Sequence, residues 1–319
     1  MELEHKMDTL KVCFTGVGSI AKRHIRNLRA ICSERGIKIV IDAFRRTHEN
    51  LEGIDTIYCS ENDVPNDYDV IFITNPTELH LRTLTLFHNK GKHFFIEKPV
   101  VSISQIEEAK SFRPRQDSLY YVAAPLRYSS VIQWIKKNIN PSEVISIRSI
   151  SSSYLPDWRP KQDYRETYSA HKNMGGGVSI DLIHEWDYMT YLFGKPKTIF
   201  SLIGKKSSLE IDSDDFAIYI AEFEDKIAEL HLDYFGRKAI REIQIFTRND
   251  TIIGDLINNK MVFMCSGEEI DFQEKRDDYQ KLELSYFLDM VYGTREAEDG
   301  YTCGMDVLAL TQGNIGLEK

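Results

Sequence analysis

The run Gly16-Val-Gly18-Ser-Ile-Ala21 comes directly after the β-branched and apolar stretch Lys11 to Thr15 and opens an amphipathic stretch. A G-x-G-x-x-A at a strand-to-helix turn constrains the fold of this chain more than any other feature, because each small residue answers a separate steric demand. Gly16 allows the tight turn, Gly18 lets backbone N–H groups approach a pyrophosphate, and Ala21 lets the helix lie close on the strand. The first helical turn, with Ser19 and Ile20, presents partial positive charge to phosphates. A glycine-rich turn that holds no ligand is the other reading of these residues.

The chain beyond the turn agrees with it. Short apolar runs at Lys38–Phe44, Ile57–Cys59, Val70–Thr74, His93–Glu97 and Leu119–Ala123 alternate with helical patterns, which is the rhythm of βαβ units around a doubly wound parallel sheet of Rossmann type. The rhythm changes after Pro125. A helical stretch, RYSSVIQWIKKNI, leads to runs at Val144–Ser153, Thr198–Leu202, Phe216–Glu222, Ile227–Tyr234 and Glu242–Thr247, which follow one another without helices. The tight acidic turn Glu224-Asp225-Lys226 implies an antiparallel hairpin. The expected architecture is therefore α/β plus α+β: residues 1–124 a dinucleotide-binding domain, and residues 125–319 an open, mostly antiparallel sheet domain for substrate and oligomerisation. The segment Met305 to Leu317 is expected to be helical and to pack back on the first domain.

A chain of 319 residues is long enough for two such cores. Forty Lys and Arg against forty-nine Asp and Glu leave a net charge of −9, which repels polyphosphate backbones and argues against nucleic acid as a partner. The apolar runs are short and the opening MELEHKMDTLK lacks the order of a signal peptide, so the expectation is a cytoplasmic protein off the membrane. Five scattered cysteines without a C-x-x-C pair suggest reduced, mostly buried thiols and no metal.

About twenty residues beyond the fingerprint, an acidic group is expected at the adenosine ribose, and Asp42 stands there. Arg45 and Arg46 come at the end of the same run; two guanidiniums would suit a 2′-phosphate, so the reading leans to NADP over NAD, with a solvated basic loop as the alternative.

Further on come Thr74-Asn75-Pro76-Thr-Glu-Leu-His80 and Gly91-Lys-His-Phe-Phe-Ile-Glu97-Lys98-Pro99, then a glycine-rich segment from Met174 that leads into Asp181 and His184. In this order the motifs resemble the Gfo/Idh/MocA family of NAD(P)-dependent sugar and inositol oxidoreductases over nearly the whole chain. The resemblance implies that Thr74, Asn75, Pro76, His80 and Glu97 border the cofactor. It also implies that Lys98 contacts cofactor and reacting hydroxyl, and that His184 is the acid/base. Family members commonly place the Asp four residues before the His, whereas Asp181 stands three before His184, with Ile180 at the usual position.

The chemistry asks for the same groups. Removing hydride from a carbinol carbon requires a base for the hydroxyl proton, and a cation eases the developing alkoxide. Asp181, His184 and Asp187 or Tyr188 recur at three- and four-residue spacing, which on one helix would put them on one face, either as a general base with carboxylates or as a buried ion pair. Between Tyr154 and Ser169 lie Trp158, Arg159, Arg165 and Tyr168. With Arg127 they are candidates for substrate contact, the arginines and aromatics forming a lid over an anionic sugar, or else a surface loop whose arginines pair with Asp157, Asp163 and Glu166.

The reading is an NAD(P)-dependent dehydrogenase or reductase acting on a ring hydroxyl of a sugar, an acidic or nucleotide-linked sugar derivative, or a cyclitol, and working as a homodimer or homotetramer through the second domain's sheet. Its rivals are a cofactor-retaining lyase or glycosidase-like enzyme on the same fold and a ligand-sensing protein without catalysis.

Overall fold

The computed structural model describes residues 9–316. The chain falls into two units. The first runs to Ala123 and takes in Gln280–Met305; the second comprises Ala124–Tyr279 and the chain from Asp306 onward. One crossing near residue 124 is expected from the sequence, and the chain makes two more.

The first unit is built on strands β1 (Thr9–Thr15), β2 (Lys38–Phe44), β3 (Thr56–Tyr58), β4 (Tyr68–Ile73), β5 (Gly91–Ile96) and β6 (Tyr120–Val122). All pair in parallel in the order β3-β2-β1-β4-β5-β6. Runs such as Val70–Ile73 are buried at every residue, as a parallel sheet covered on both faces requires. Phe14, Phe72 and Phe95 stack across β1, β4 and β5 with centroids 4.5 and 4.7 Å apart. Phe287 meets Phe72 and Phe95 edge-on from the helix Asp278–Val291. Each aromatic pair adds about 0.5–1.5 kcal/mol beyond its buried area. On that helix Leu284, Phe287, Leu288 and Val291 are buried at i, i+3, i+4 and i+7, so its apolar stripe belongs to this core, which is why the chain returns.

Thr15 pairs with Phe44 and with Ile73, and Ile73 pairs with Ile96. These last residues of β1, β2, β4 and β5 are thus in one row across the sheet. The four connections that leave them, carrying Gly16–Gly18, Arg45, Thr74–Pro76 and Glu97–Pro99, emerge side by side at the carboxyl edge, where ligands bind in open α/β sheets.

The second unit holds β7 (Val144–Tyr154), β8 (Thr198–Gly204), β9 (Phe216–Glu222), β10 (Ile227–Asp233), β11 (Phe235–Thr247), β12 (Thr251–Asp255), β13 (Lys260–Phe263) and β14 (Glu269–Asp271). Their order is β14-β13-β12-β11-β7-β10-β9-β8. The β9–β10 hairpin closes at Glu224–Lys226, where the Phe223 amide donates to the Lys226 carbonyl at 2.9 Å. Every pairing is antiparallel except β7 with β10. Helices Ser130–Asn138 and His184–Phe193 bury Val131, Ile132, Ile135, Trp186, Tyr188, Met189 and Leu192. Along the strands, residues alternate between buried and exposed. Ile199, Tyr219 and Ala228 are buried, while their neighbours Phe200, Ile220 and Ile227 are exposed.

Three local expectations are corrected. The runs from Val144 onward are not free of helices, since Val178–Asp181 and His184–Phe193 lie between β7 and β8. The C-terminal helix spans Gly300–Leu310 rather than Met305 to Leu317. Beyond it Gly313 and Gly316 take positive φ and turn the chain so that Ile315 bridges to Ile199, while Leu317 lies outside the described residues. Of the cysteines only Cys13 and Cys32 are buried, whereas Cys59, Cys265 and Cys303 sit on exposed segments. Among the described residues no helix is long and apolar enough to cross a membrane, and no group of three or more His, Cys, Asp or Glu is placed to hold a metal ion.

Candidate active site

On the first unit the fingerprint turn has the geometry its glycines imply. Gly16 has φ +88°, and a Cβ there would stand 2.9 Å from the Asn75 Cα, so both backbone conformation and space demand glycine. A Cβ at Gly18 would meet nothing within 4 Å, which leaves open room over the helix start. The helix Ser19–Glu34 that begins there has no side-chain cap and no acid in its first turn, so its leading N–H groups suit an anion. Thr74 Oγ1 donates to the Gly16 carbonyl at 2.8 Å and pins the turn. The Asn75 amide nitrogen donates to Thr83 Oγ1, while its Oδ1 is a buried acceptor without a hydrogen-bond partner. An open cradle over Gly18, uncapped amides and this spare acceptor fit a dinucleotide. Pro76 begins the next turn and is exposed.

The expected place of Asp42 is corrected. It lies two residues before the end of β2, buried, with Oδ2 accepting from the Tyr68 hydroxyl at 2.7 Å, and it does not stand at the strand's carboxyl end. Arg45 does. Its Nη2 lies 3.4 Å from Glu49, and its Nη1 is buried without a partner, while Arg46 is exposed.

The strand end at Glu97 is tied to the fingerprint helix. His24 Nε2 lies 2.6 Å from Glu97 Oε1 in a nearly closed environment. Burial would raise the Glu97 carboxyl, but the His24 hydrogen bond and the charges of His24 and Lys98 outweigh it and hold the group below its ordinary value. His80 spans the neighbouring turns, its ring nitrogens 3.0 Å from the carbonyl oxygens of Pro99 and Asn75, and burial lowers its pKa. The Lys98–Pro99 peptide is cis.

On the second unit a cavity of about 360 Å³ is lined by Ser151, Ser152, Ser153, Trp158, Asp181, Leu182, His184, Ala239, Ile240, Arg241 and Ile257. Asp181 and His184 line it together, although not as one helical face. Asp181 ends the short helix Val178–Asp181, Leu182 departs to φ −97°, ψ 29°, and His184 begins the next helix. The break resets the rotation between the two residues, so spacing on a continuous helix does not decide what they share. Asp187 and Tyr188 are not on the cavity wall. Tyr188 is buried with its hydroxyl 2.6 Å from Ser149 Oγ, and Asp187 is forked by Arg127 at 2.9 and 2.6 Å. Arg127, a substrate-contact candidate, thus faces a carboxylate of its own chain.

The segment from Tyr154 to Ser169 is divided in role. Trp158 lines the cavity, donates Nε1 to Ser153 Oγ at 2.9 Å and meets Tyr234 edge-on. The Asp181 charge, with burial, raises the pKa of the Tyr168 hydroxyl. Arg159 lies over the Tyr168 ring, 5.7 Å from its centroid, and the exposed Arg165 is engaged by Asp163 and Glu210. Neither arginine is on the cavity wall.

Several site residues escape sequence reasoning: the serines of β7, Tyr234, and Arg241, whose Nε donates to the fully buried Glu185 at 2.7 Å. The only signal is the polar run Ser151-Ser-Ser153 in a strand whose Ser149 and Ser151 are themselves buried.

Residues 10–123 match the family described as "Oxidoreductase family, NAD-binding Rossmann fold", and residues 132–253 match the GFO/IDH/MocA C-terminal domain. A levoglucosan dehydrogenase of Pseudarthrobacter phenanthrenivorans is 25% identical over 53% of this chain and 43% of its own length. An NADP-dependent scyllo-inositol 2-dehydrogenase of Bacillus subtilis is 25% identical over 61% of this chain and 54% of its own. The matched stretch spans about half the length of these curated relatives. Among solved structures, levoglucosan dehydrogenase in complex with NADH shares the fold with a TM-score of 0.82 at 15% identity, over 96% of both chains. With both of its halves matched in order along the sequence, the chain belongs to the Gfo/Idh/MocA oxidoreductase family.

Proposed function

We propose that this protein is an NAD(P)-dependent dehydrogenase that oxidises, reversibly, a ring hydroxyl of a neutral sugar or cyclitol. The observation that carries the reading is the wall of the second unit's cavity. Three serines, one carboxylate and an imidazole offer donors and acceptors to several hydroxyls, and Trp158, Ile240 and Ile257 offer apolar surface to ring carbons. The relatives named as acting on levoglucosan and scyllo-inositol support the class. An acidic substrate is less well served, because Arg165 already carries Asp163 and Glu210, and Arg241 carries Glu185.

A bound nicotinamide dinucleotide would supply the hydride acceptor; the Gly18 cradle and first-turn amides of the helix from Ser19 would hold its phosphates, and Arg45 a 2′-phosphate, so the reading leans to NADP. In the proposed chemistry, the Lys98 ammonium hydrogen-bonds the reacting hydroxyl and stabilises the oxygen as negative charge develops. His184 takes the hydroxyl proton. Asp181 adds a negative charge to the cavity that His184 shares, which favours the imidazolium so formed. The outward face of the sheet, where Phe200, Leu202 and Ile220 are all more than half exposed, is the proposed contact between copies in a homodimer or homotetramer.

The decisive experiment monitors reduced-nicotinamide absorbance while the protein is offered inositols, neutral sugars and uronic acids. Lys98→Met and His184→Ala should each lower kcat by about 10² or more with cofactor affinity retained. Turnover of a sugar without net cofactor reduction would instead support the cofactor-retaining lyase. Near-normal kcat in either variant would remove that residue from the mechanism.

A further inference from the structure

Asp181 is buried at the wall of the cavity, and a carboxylate in that position needs donors. The hydroxyl of Tyr234, itself fully buried just beyond β10, donates to Asp181 Oδ2 at 2.6 Å. We propose that Tyr234 is a positioning residue that holds Asp181 as a fixed acceptor beside the substrate; the proposal rests on the dehydrogenase reading above for its catalytic consequence.

The choice of donor matters. A guanidinium would hold the carboxylate equally well but cancel its charge, as Arg241 does for Glu185 and Arg127 for Asp187 in this same unit. The Tyr234 hydroxyl is a neutral donor and brings no positive charge of its own. Charge-assisted O–H···O⁻ contacts of this length are the strong kind. The clamp is anchored from three sides. Tyr234 leaves the sheet where its amide donates to the Asp215 carbonyl and its carbonyl accepts from the Leu155 amide, and Trp158 packs edge-on against its ring.

The other charged groups around the cluster are Asp214, whose carboxyl is pushed up first by burial and further by the Asp181 charge, and Arg159, which lies over the Tyr168 ring. His184 is the remaining titratable neighbour on the cavity wall apart from Arg241. Burial, together with the Asp181 charge, raises the pKa of Tyr234, so this phenol keeps its proton and donates throughout the working pH range. If Tyr234 acts through Asp181, the effects of Tyr234→Phe and Asp181→Asn on turnover are not additive.

Two measurements on the full chain test the clamp. Alkaline tyrosine titration by ultraviolet absorbance needs no substrate. In Asp181→Asn, two of the sixteen tyrosines should ionise at distinctly lower pH than in the natural chain, because the neighbouring negative charge is gone. An unmoved titration overturns the proposal. For the catalytic consequence, Tyr234→Phe should lower kcat by about tenfold with cofactor affinity unchanged, and should lower it no further in the Asp181→Asn background. The titration of Asp181→Asn serves if the deeply buried Tyr234 does not tolerate change. Losses that add in the double variant would mark Tyr234 as scaffold and overturn the positioning role. If the natural protein oxidises no polyol while the titration moves as described, the clamp stands and the dehydrogenase reading falls.

Discussion

His24, on the helix that starts at the fingerprint turn, and Glu97, just beyond the end of β5, lie 2.6 Å apart with both side chains largely buried. One interaction thereby fixes the residue preceding Lys98 to the element that would hold the phosphates. His24→Ala leaves the carboxylate without its donor and should cost about 1.5–3 kcal/mol of stability, read by urea denaturation. Glu97 has a depressed pKa in the fold, so its contribution is fully present above its ordinary value near 4.5 and is lost as pH falls through the folded value. The stability difference between the natural chain and Glu97→Gln should therefore shrink on acidification below that point. A difference independent of pH would mean that the carboxylate's charge contributes nothing.

Gly16 and Gly18 should separate cleanly. Gly18 has ordinary backbone angles and open space, so Gly18→Val should keep its melting temperature and lose at least tenfold in cofactor affinity, measured by fluorescence titration. Gly16→Ala, at φ +88° and against Asn75, should instead destabilise the fold by about 1–3 kcal/mol. Equal affinities for the natural chain and Gly18→Val would remove the cradle.

The arginines give a test of charge preference. Arg45→Ala should erode any preference for NADPH over NADH, while Arg165→Ala should leave KM within about twofold for neutral and acidic sugars alike, since exposed ion pairs such as those of Arg165 contribute little. A large KM increase confined to acidic sugars in Arg165→Ala would restore the anionic lid.

His93 supplies a pH dependence of stability. Burial first, then the charges of Lys92 and Arg115, lower its pKa from 6.5 to about 4, and its Nδ1 accepts from the Leu119 amide, a role open only to the neutral ring. The unfolded chain binds this proton below about 6.5 and the folded chain resists it, so stability is complete above that value and declines as pH falls toward 4. In His93→Gln the decline over this window should be shallower in denaturant midpoints. An unchanged slope would assign the acid sensitivity elsewhere.

Much of the first unit is legible in sequence because its strands are buried on both faces and bounded by turn residues; β2 and the later β9 fall at the expected residues. The helix from Gly300 is harder to place at its start, since Gly300 and Gly304 are poor helix formers. They are there because a Cβ at either would press on the Tyr120 carbonyl or the Val122 side chain. The parallel pairing of β7 with β10 joins strands about eighty residues apart, and no local pattern announces it. The candidate site divides in the same way. Gly16, Gly18, Lys98 and His184 stand in local motifs, whereas Tyr234 reaches Asp181, and Arg241 the cavity wall, through tertiary contacts.

The return of Gln280–Met305 to the first unit has a consequence for synthesis. When the ribosome has released residues 9–123, the sheet still lacks Leu284, Phe287, Leu288 and Val291, so Phe72 and Phe95 on its inner face await a cover made more than 150 residues later. Residues 124–279 of the second unit are in effect an insertion within the first. The nucleotide half therefore closes only after that insertion has been made, and an N-terminal fragment ending at Ala123 would display an apolar face in place of a finished domain.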